Sequence, residues 1–254
     1  MAILCDDSAI AVLFRALVPY SPKSVKTELL LEISVQTVEA ALAAERGGAG
    51  RIELCSALEA GGLTPSGGLM LTTRANVQIP VFAMIRPRGR DFVYTEGEFG
   101  EMKRAIEVAK GTEMDGVVLG VLKKDRGVDV ARTRELVELA QPLPVTFHRA
   151  FDEARDLDVA LESVIDTGAA RILTSAGAAT APAGIEKLAQ LVKAAKERII
   201  ILPGGGINAS NALYVAKQTG ARELHSGLGS VLAYGQEDYQ RFESEVRKLA
   251  EQSA

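Results

Sequence analysis

Residues 29–54, LLLEISVQTVEAALAAERGGAGRIEL, decide the fold: an apolar run, a helix-period segment, a pair of glycines and a second apolar run follow one another. Leu29–Ile33 reads as a strand. Thr37–Arg46 places apolar residues three or four apart, the spacing that gives a helix one apolar face. Gly47 and Gly48 tolerate the left-handed backbone that ends a helix, and Arg51–Leu54 begins the next strand. Strand, helix and strand in so short a stretch make a β/α unit of a parallel sheet.

The unit recurs along the chain. Strands are predicted at Leu29–Ile33, Arg51–Leu54, Val81–Ile85, Gly116–Leu119, Val145–Phe147, Arg171–Leu173, Ile199–Leu202 and Glu223–Leu224. Helices are predicted at Thr37–Arg46, Glu98–Lys110, Val130–Ala140, Leu157–Asp166, Ile185–Lys196 and Ala209–Lys217, with a last one over Glu237–Gln252. Eight units of roughly 25–30 residues predict a single-domain (β/α)8 TIM barrel over residues 28–254. A doubly wound open sheet is the alternative. Against it, the turn after Ile33 reads Ser34-Val35-Gln36 in place of a G-x-G-x-x-G phosphate loop. Residues 1–27 do not share the rhythm, and Pro19, Ser21, Pro22 and Ser24 mark them as an N-terminal extension or linker.

Composition narrows the function classes. The 254 residues are 47% hydrophobic and 24% charged, as in a soluble globular domain. Twenty-nine basic and 33 acidic residues give a net charge of -4 without a dense Lys/Arg run, so no nucleic-acid partner is expected. The early apolar stretch Ala9–Phe14 is too short for a span and follows Asp6 and Asp7 instead of a basic cluster, so neither a signal peptide nor a membrane anchor is expected. Two cysteines, Cys5 and Cys55, build no disulfide framework and fit free thiols in the cytoplasm.

In a barrel, the C-terminal strand ends share one mouth, so polar residues there are the site candidates. Glu32 in Leu-Glu-Ile and Glu53 in Ile-Glu-Leu alternate with apolar neighbours, which turns both carboxylates inward. A buried charge needs a partner, and Arg86 of Arg86-Pro87-Arg88 is the candidate. After the fifth strand, Thr146-Phe-His-Arg-Ala-Phe-Asp152 brings His148, Arg149 and Asp152 into one turn. His148 suits proton transfer or metal ligation, or else a structural hydrogen bond to a buried carboxylate. His225 closes the eighth strand, next to Glu32 once the barrel shuts. Gly204, Gly205 and Gly206 after the seventh strand, Gly227 and Gly229 after the eighth, and Thr174 and Ser175 after the sixth occupy the quarter where barrels bind phosphate. Cys55 is a soft donor suited to Cu(I), or a small buried hydrophobe.

Five motifs, taken in order, carry a resemblance: Arg51-Ile-Glu-Leu-Cys55, Gly61-Gly-Leu-Thr-Pro-Ser66, Ile85-Arg-Pro-Arg-Gly89 with Asp91-Phe92, Thr146–Asp152, and Pro203-Gly-Gly-Gly-Ile207. Together they resemble the CutC family over Leu29–His225. The resemblance implies a β/α barrel, a cytoplasmic role in copper homeostasis, and Cu(I) at Cys55, with no organic cofactor. Animal relatives carry a second cysteine after the first strand, where this chain reads Glu32-Ile33-Ser34. Two functions therefore stand side by side: a copper-homeostasis protein with a Cu(I) site, or an enzyme acting on a small anionic or phosphorylated metabolite by acid–base chemistry. In the second, Glu32 or Glu53 is the base, His148 the acid or electrophile, and Arg86 with Arg149 stabilise charge. A homo-oligomer is expected, as for many barrels.

Overall fold

The structure, a computed structural model, describes residues 29–228 and 238–252; the expectations for residues 1–27, Cys5 and Gly229 lie outside these. Among the described residues, strands and helices alternate as β1 (Leu30–Val35), α1 (Val38–Arg46), β2 (Arg51–Leu54), α2 (Gly67–Asn76), β3 (Val81–Met84), α3 (Glu96–Gly111), β4 (Gly116–Leu119) and α4 (Val130–Ala140). They continue as β5 (Val145–Phe147), α5 (Leu157–Ile165), β6 (Arg171–Thr174), α6 (Ile185–Ala195), β7 (Ile200–Pro203), α7 (Ala212–Thr219), β8 (Glu223–Ser226) and α8 (Tyr239–Glu251). The strands pair in parallel in the order β7-β6-β5-β4-β3-β2-β1-β8. A parallel bridge between Gly204 and His225 brings β7 against β8. The ring is the predicted TIM barrel. No described helix is long and apolar enough to cross a membrane.

Several boundaries move for local reasons. β1 runs two residues past Ile33, because Ser34 and Val35 pair with Glu53 and Leu54 of β2. α3 starts at Glu96, where Thr95 and Glu98 form a reciprocal capping box. α7 starts at Ala212 because Asn208 Oδ1 accepts from the Ser210 N–H and Asn211 Oδ1 from the Asn208 N–H, which holds this stretch in a turn. α2 is a helix that the periodicity does not predict: only Met70 and Thr73 are buried on it, and it is set by the Ser66 side chain accepting from the Leu69 N–H.

The barrel interior is charged at its floor. Side chains two apart on a strand share a face, so Arg51 lies under Glu53 on β2 and Glu223 under His225 on β8. The Arg51 guanidinium donates to Glu32 and, at 2.5 Å, to Glu223, to which Arg171 Nε also donates at 2.9 Å. Both guanidinium groups lie over the Phe82 ring, 5.0 and 5.4 Å from its centroid. Phe82 fits because β4 has a glycine opposite it: a Cβ on Gly116 would stand 2.6 Å from the ring.

Burial alone would push the Glu32 carboxyl up, but the charges of Arg51 and His225 and their hydrogen bonds outweigh it and bring its pKa down from 4.5 to about 2. The stability that this ion pair contributes is therefore present above pH 4.5 and is lost as pH falls toward 2. Arg51→Met leaves a buried carboxylate without its main counter-charge, and a destabilisation of ~3–5 kcal/mol is expected in urea melts at neutral pH, narrowing as the acid limb is entered. Equal urea midpoints for the variant and the wild type would show that the pair adds nothing net.

Candidate functional site

At the C-terminal strand ends lies a cavity of about 230 Å3, lined by Ser34, Glu53, Arg86, His148, Arg149 and His225, with Phe92 and Leu173 among its apolar walls. Glu32 sits one step deeper, fully buried, beneath His225. The structure thus gathers six of the predicted residues around one cavity, Gly227 among them, with Glu32 behind it.

His225 is oriented from below. Its Nδ1 lies 2.8 Å from Glu32 Oε1. Since Glu32 stays ionised, Nδ1 is the donor, and Nε2 is turned toward Glu53 Oε2 at 3.8 Å. Burial would lower the pKa of His225, yet the Glu53 charge and the hydrogen bond and charge of Glu32 raise it above its ordinary value. Burial likewise raises that of Glu53, against the pull of the His225 charge. Both groups therefore hold a proton more tightly than they would in water.

Arg86 does not pair with the inward carboxylates, contrary to the expectation; Arg51 takes that place. The Arg86 guanidinium instead donates to loop carbonyls: Nη1 to Ala60 (3.1 Å), Gly61 (3.1 Å) and Gly62 (3.2 Å), and Nη2 to Arg90 (3.0 Å). It lies 4.8 Å from the Phe92 ring centroid, and the same ring stands 4.8 Å from the His148 imidazole. His148 Nδ1 accepts from the Ala150 N–H at 3.2 Å, so in the neutral ring the proton sits on Nε2. Burial, reinforced by the nearby Arg86 charge, brings its pKa down to about 3 and keeps the ring neutral. The ring occupies space left by a glycine, for a Cβ on Gly120 would lie 2.6 Å from Nδ1. Among the described residues, three buried atoms of the lining side chains have no hydrogen-bond partner: Glu53 Oε1, Arg86 Nε and His148 Nε2.

The remaining predicted groups form a closed set beside the cavity. The Asp152 carboxylate accepts from Arg149 Nε (2.8 Å), the Ser175 N–H (3.0 Å), the Gly177 N–H (2.9 Å) and the Thr174 hydroxyl. Arg149 Nη2 donates to Ser175 Oγ at 3.0 Å. Asp152 thus occupies the donors that the sequence suggests for an anion after β6. Gly204 donates its N–H to the Thr174 carbonyl, the Gly205 carbonyl accepts from Ala181, and the Gly206 carbonyl accepts from Asn211. Gly227 lines the cavity.

Cys55 is fully buried, and its thiol donates to Glu53 Oε2 at 3.6 Å. Burial and the charges of Glu53 and Glu32 push its pKa well above the usual value, so the thiol keeps its proton. The Met84 methyl and Cys55 Sγ meet at Gly62, 3.5 and 3.0 Å from where a Cβ there would sit. Ligand atoms of Glu32, Glu53 and His225 also lie within 4.8 Å of one another, a spacing that suits a metal ion. Against this, both Glu32 oxygens are engaged, by Arg51 and His225. Arg51, Arg171 and Glu223 escape the sequence reading. Strand parity is the signal that would have found two of them, since Arg51 and Glu223 stand two residues before Glu53 and His225.

The sequence model of the CutC family matches residues 29–230. A mouse relative named copper homeostasis protein CutC homolog is 48% identical over 201 residues, covering 79% of this chain and 74% of the relative. A human relative of the same name is 44% identical over 216 residues, covering 85% and 79%. A crystal structure from Streptococcus agalactiae, described as a CutC copper homeostasis protein, superposes with a TM-score of 0.75 at 32% identity over 78% of this chain and 98% of that one. The chain belongs to the CutC family.

Proposed function

We propose that the chain works in copper homeostasis, the role printed in the names of its mouse and human relatives, and that its molecular activity is acid–base chemistry on a small anionic ligand in the mouth cavity. One observation carries the second part: His225, fixed by Glu32 at 2.8 Å, faces Glu53 at 3.8 Å in the wall of that cavity, so a held proton stands next to the ligand space. Arg86 and Arg149, in the same wall, supply the positive field that an anion needs.

Both members of the pair bind protons more tightly in the folded state. The stability contributed through His225 is thus present below its ordinary pKa of 6.5 and fades as pH rises through its folded pKa, and that through Glu53 is present below 4.5 and fades as pH rises through its own raised pKa. A thermal-shift screen of small carboxylates and phosphorylated sugars is expected to raise the melting temperature of the wild type by a few degrees at saturating ligand. The rise should shrink in His225→Gln and shrink again as pH becomes alkaline. A flat response to every anion, or one indifferent to His225, refutes the reading.

Cu(I) capture at Cys55 is the second reading, favoured by a thiol beside the Glu53 carboxylate and by Met84, whose methyl packs at Gly62 with Cys55 Sγ. A thiolate, with a thioether from the same cluster if Met84 turns to it, suits a monovalent soft ion, and the thiol proton is released on binding. A reducing cytoplasm suits a free thiol, and homo-oligomerisation, common among barrels, is read by light scattering. Anaerobic titration is expected to give one tight equivalent in the wild type and at least a tenfold loss in Cys55→Ser, or about 1.4 kcal/mol. Identical affinities would remove Cys55 from the site.

A further inference from the structure

We propose that the mouth cavity takes a small keto acid, whose carbonyl oxygen is held by Arg86 Nε–H and His148 Nε2–H while Glu53 Oε1 accepts a proton from the neighbouring carbon. The inference rests on the acid–base reading above and deepens it to a substrate class.

The three atoms named are the ones left over. Each belongs to a side chain at least nine-tenths buried (Glu53 3%, Arg86 6% and His148 3% exposed), each lines the cavity, and none has a partner among the described residues. A buried donor or acceptor left without a partner is costly, so such a group marks the place of a ligand or an ordered water. Arg86 and His148 both pack on the Phe92 ring, and the Arg86 charge is felt at the His148 imidazole. Two donors match one carbonyl oxygen with its two lone pairs.

A phosphate fits less well. It asks for more donors, and the other Arg86 N–H groups are engaged by carbonyls while Asp152 occupies the N–H groups after β6. The Glu53 carboxylate would also face a dianion. A single carboxylate substituent can instead meet Arg149 at the rim. At ~30 Å3 per water-sized group, 230 Å3 holds roughly eight such groups, the size of a small keto acid.

The step balances without a co-reactant. The C–H bond breaks and its electron pair forms the carbon–carbon double bond; the carbonyl π pair moves to the oxygen. The resulting enolate oxygen keeps both N–H donors, and the proton resides on Glu53 until it returns to carbon. A neutral imidazole is the suited donor here, because it polarises the oxygen without surrendering its proton to the product. Its tautomer is fixed by the Ala150 N–H.

The test uses the full chain with 15N-labelled histidine, whose two histidines give two ring systems. Oxalate, a planar mimic of an enolised keto acid, is expected to bind and to move the His148 Nε2–H proton downfield while the ring stays neutral between about pH 5 and 8; acetate is expected to leave it in place. In D2O, the wild type should exchange the methyl protons of pyruvate above the buffer rate, and Glu53→Gln should not. Arg86→Lys should weaken oxalate about tenfold. Because Arg86 also braces a loop, His148→Phe serves as the second variant: it should lose the preference for oxalate over acetate.

Oxalate saturation that leaves His148 unmoved, or pyruvate exchange no faster than in buffer, overturns the proposal. If acetate and oxalate then stabilise the protein equally, the acid–base reading on small anions survives without the carbonyl; if neither binds, both readings fall.

Discussion

The barrel depends on one electrostatic constraint: of three buried carboxylates, Arg51 pairs with Glu32 and Glu223 and Arg171 with Glu223, while Glu53 is left to His225 and the Cys55 thiol. A buried carboxylate without a close counter-charge is among the costliest features a fold can contain. His225 and Glu53 both have raised pKa values, so a proton bound by the pair offsets that cost. The position of the pair follows from the layers: the floor ion pairs take Arg51 and Arg171, which leaves Glu53 and His225 to face each other one layer higher, at the cavity wall. The acid–base pair is therefore a consequence of how the core is neutralised, and the core in turn needs the pair.

The polar residues of the mouth divide by what they have already bonded. Arg86, Asp152, Thr174 and Ser175 are engaged with loop carbonyls or with one another, and they shape the rim. Glu53, His148 and Arg86, which line the cavity, each keep one buried atom without a partner among the described residues. Rigid loops built by the first group let the second hold unsatisfied atoms in place, which is the preorganisation that charge-stabilising sites require.

The sequence exposes the parts of this design that repeat. Eight β/α units were legible because a buried parallel strand is an apolar run and a covering helix shows a 3.6-residue period, and the strand ends pointed to Glu32, Glu53, His148 and His225. α2 was not legible, because a helix with two buried positions has almost no period to detect, although Ser66 marks its start. The partner of Glu32 was misassigned for a different reason. Proximity along the strand ends favoured Arg86, whereas register sets Arg51 directly beside Glu32. Pairing across strands is a property of the closed ring, and an isolated sequence does not display it. The engagement of Asp152 with the loop after β6 is hidden in the same way, since those residues lie 22 to 25 positions apart.

The Glu53 site also bears on which cation this interior can accept. A divalent ion at Glu32, Glu53 and His225 would stand beside the Arg51 guanidinium that already pairs with Glu32. A proton or a monovalent ion brings half that charge next to the guanidinium. Cu(I) and the proton are thus alternatives of equal charge, and they meet at adjacent atoms: the Cys55 thiol donates its proton to the same Glu53 oxygen that faces His225. Binding of Cu(I) to a Cys55 thiolate would leave the charge balance as it is while weakening the hydrogen bond that holds Glu53. On these readings, proton chemistry at the mouth and copper at the second strand would be coupled through one carboxylate.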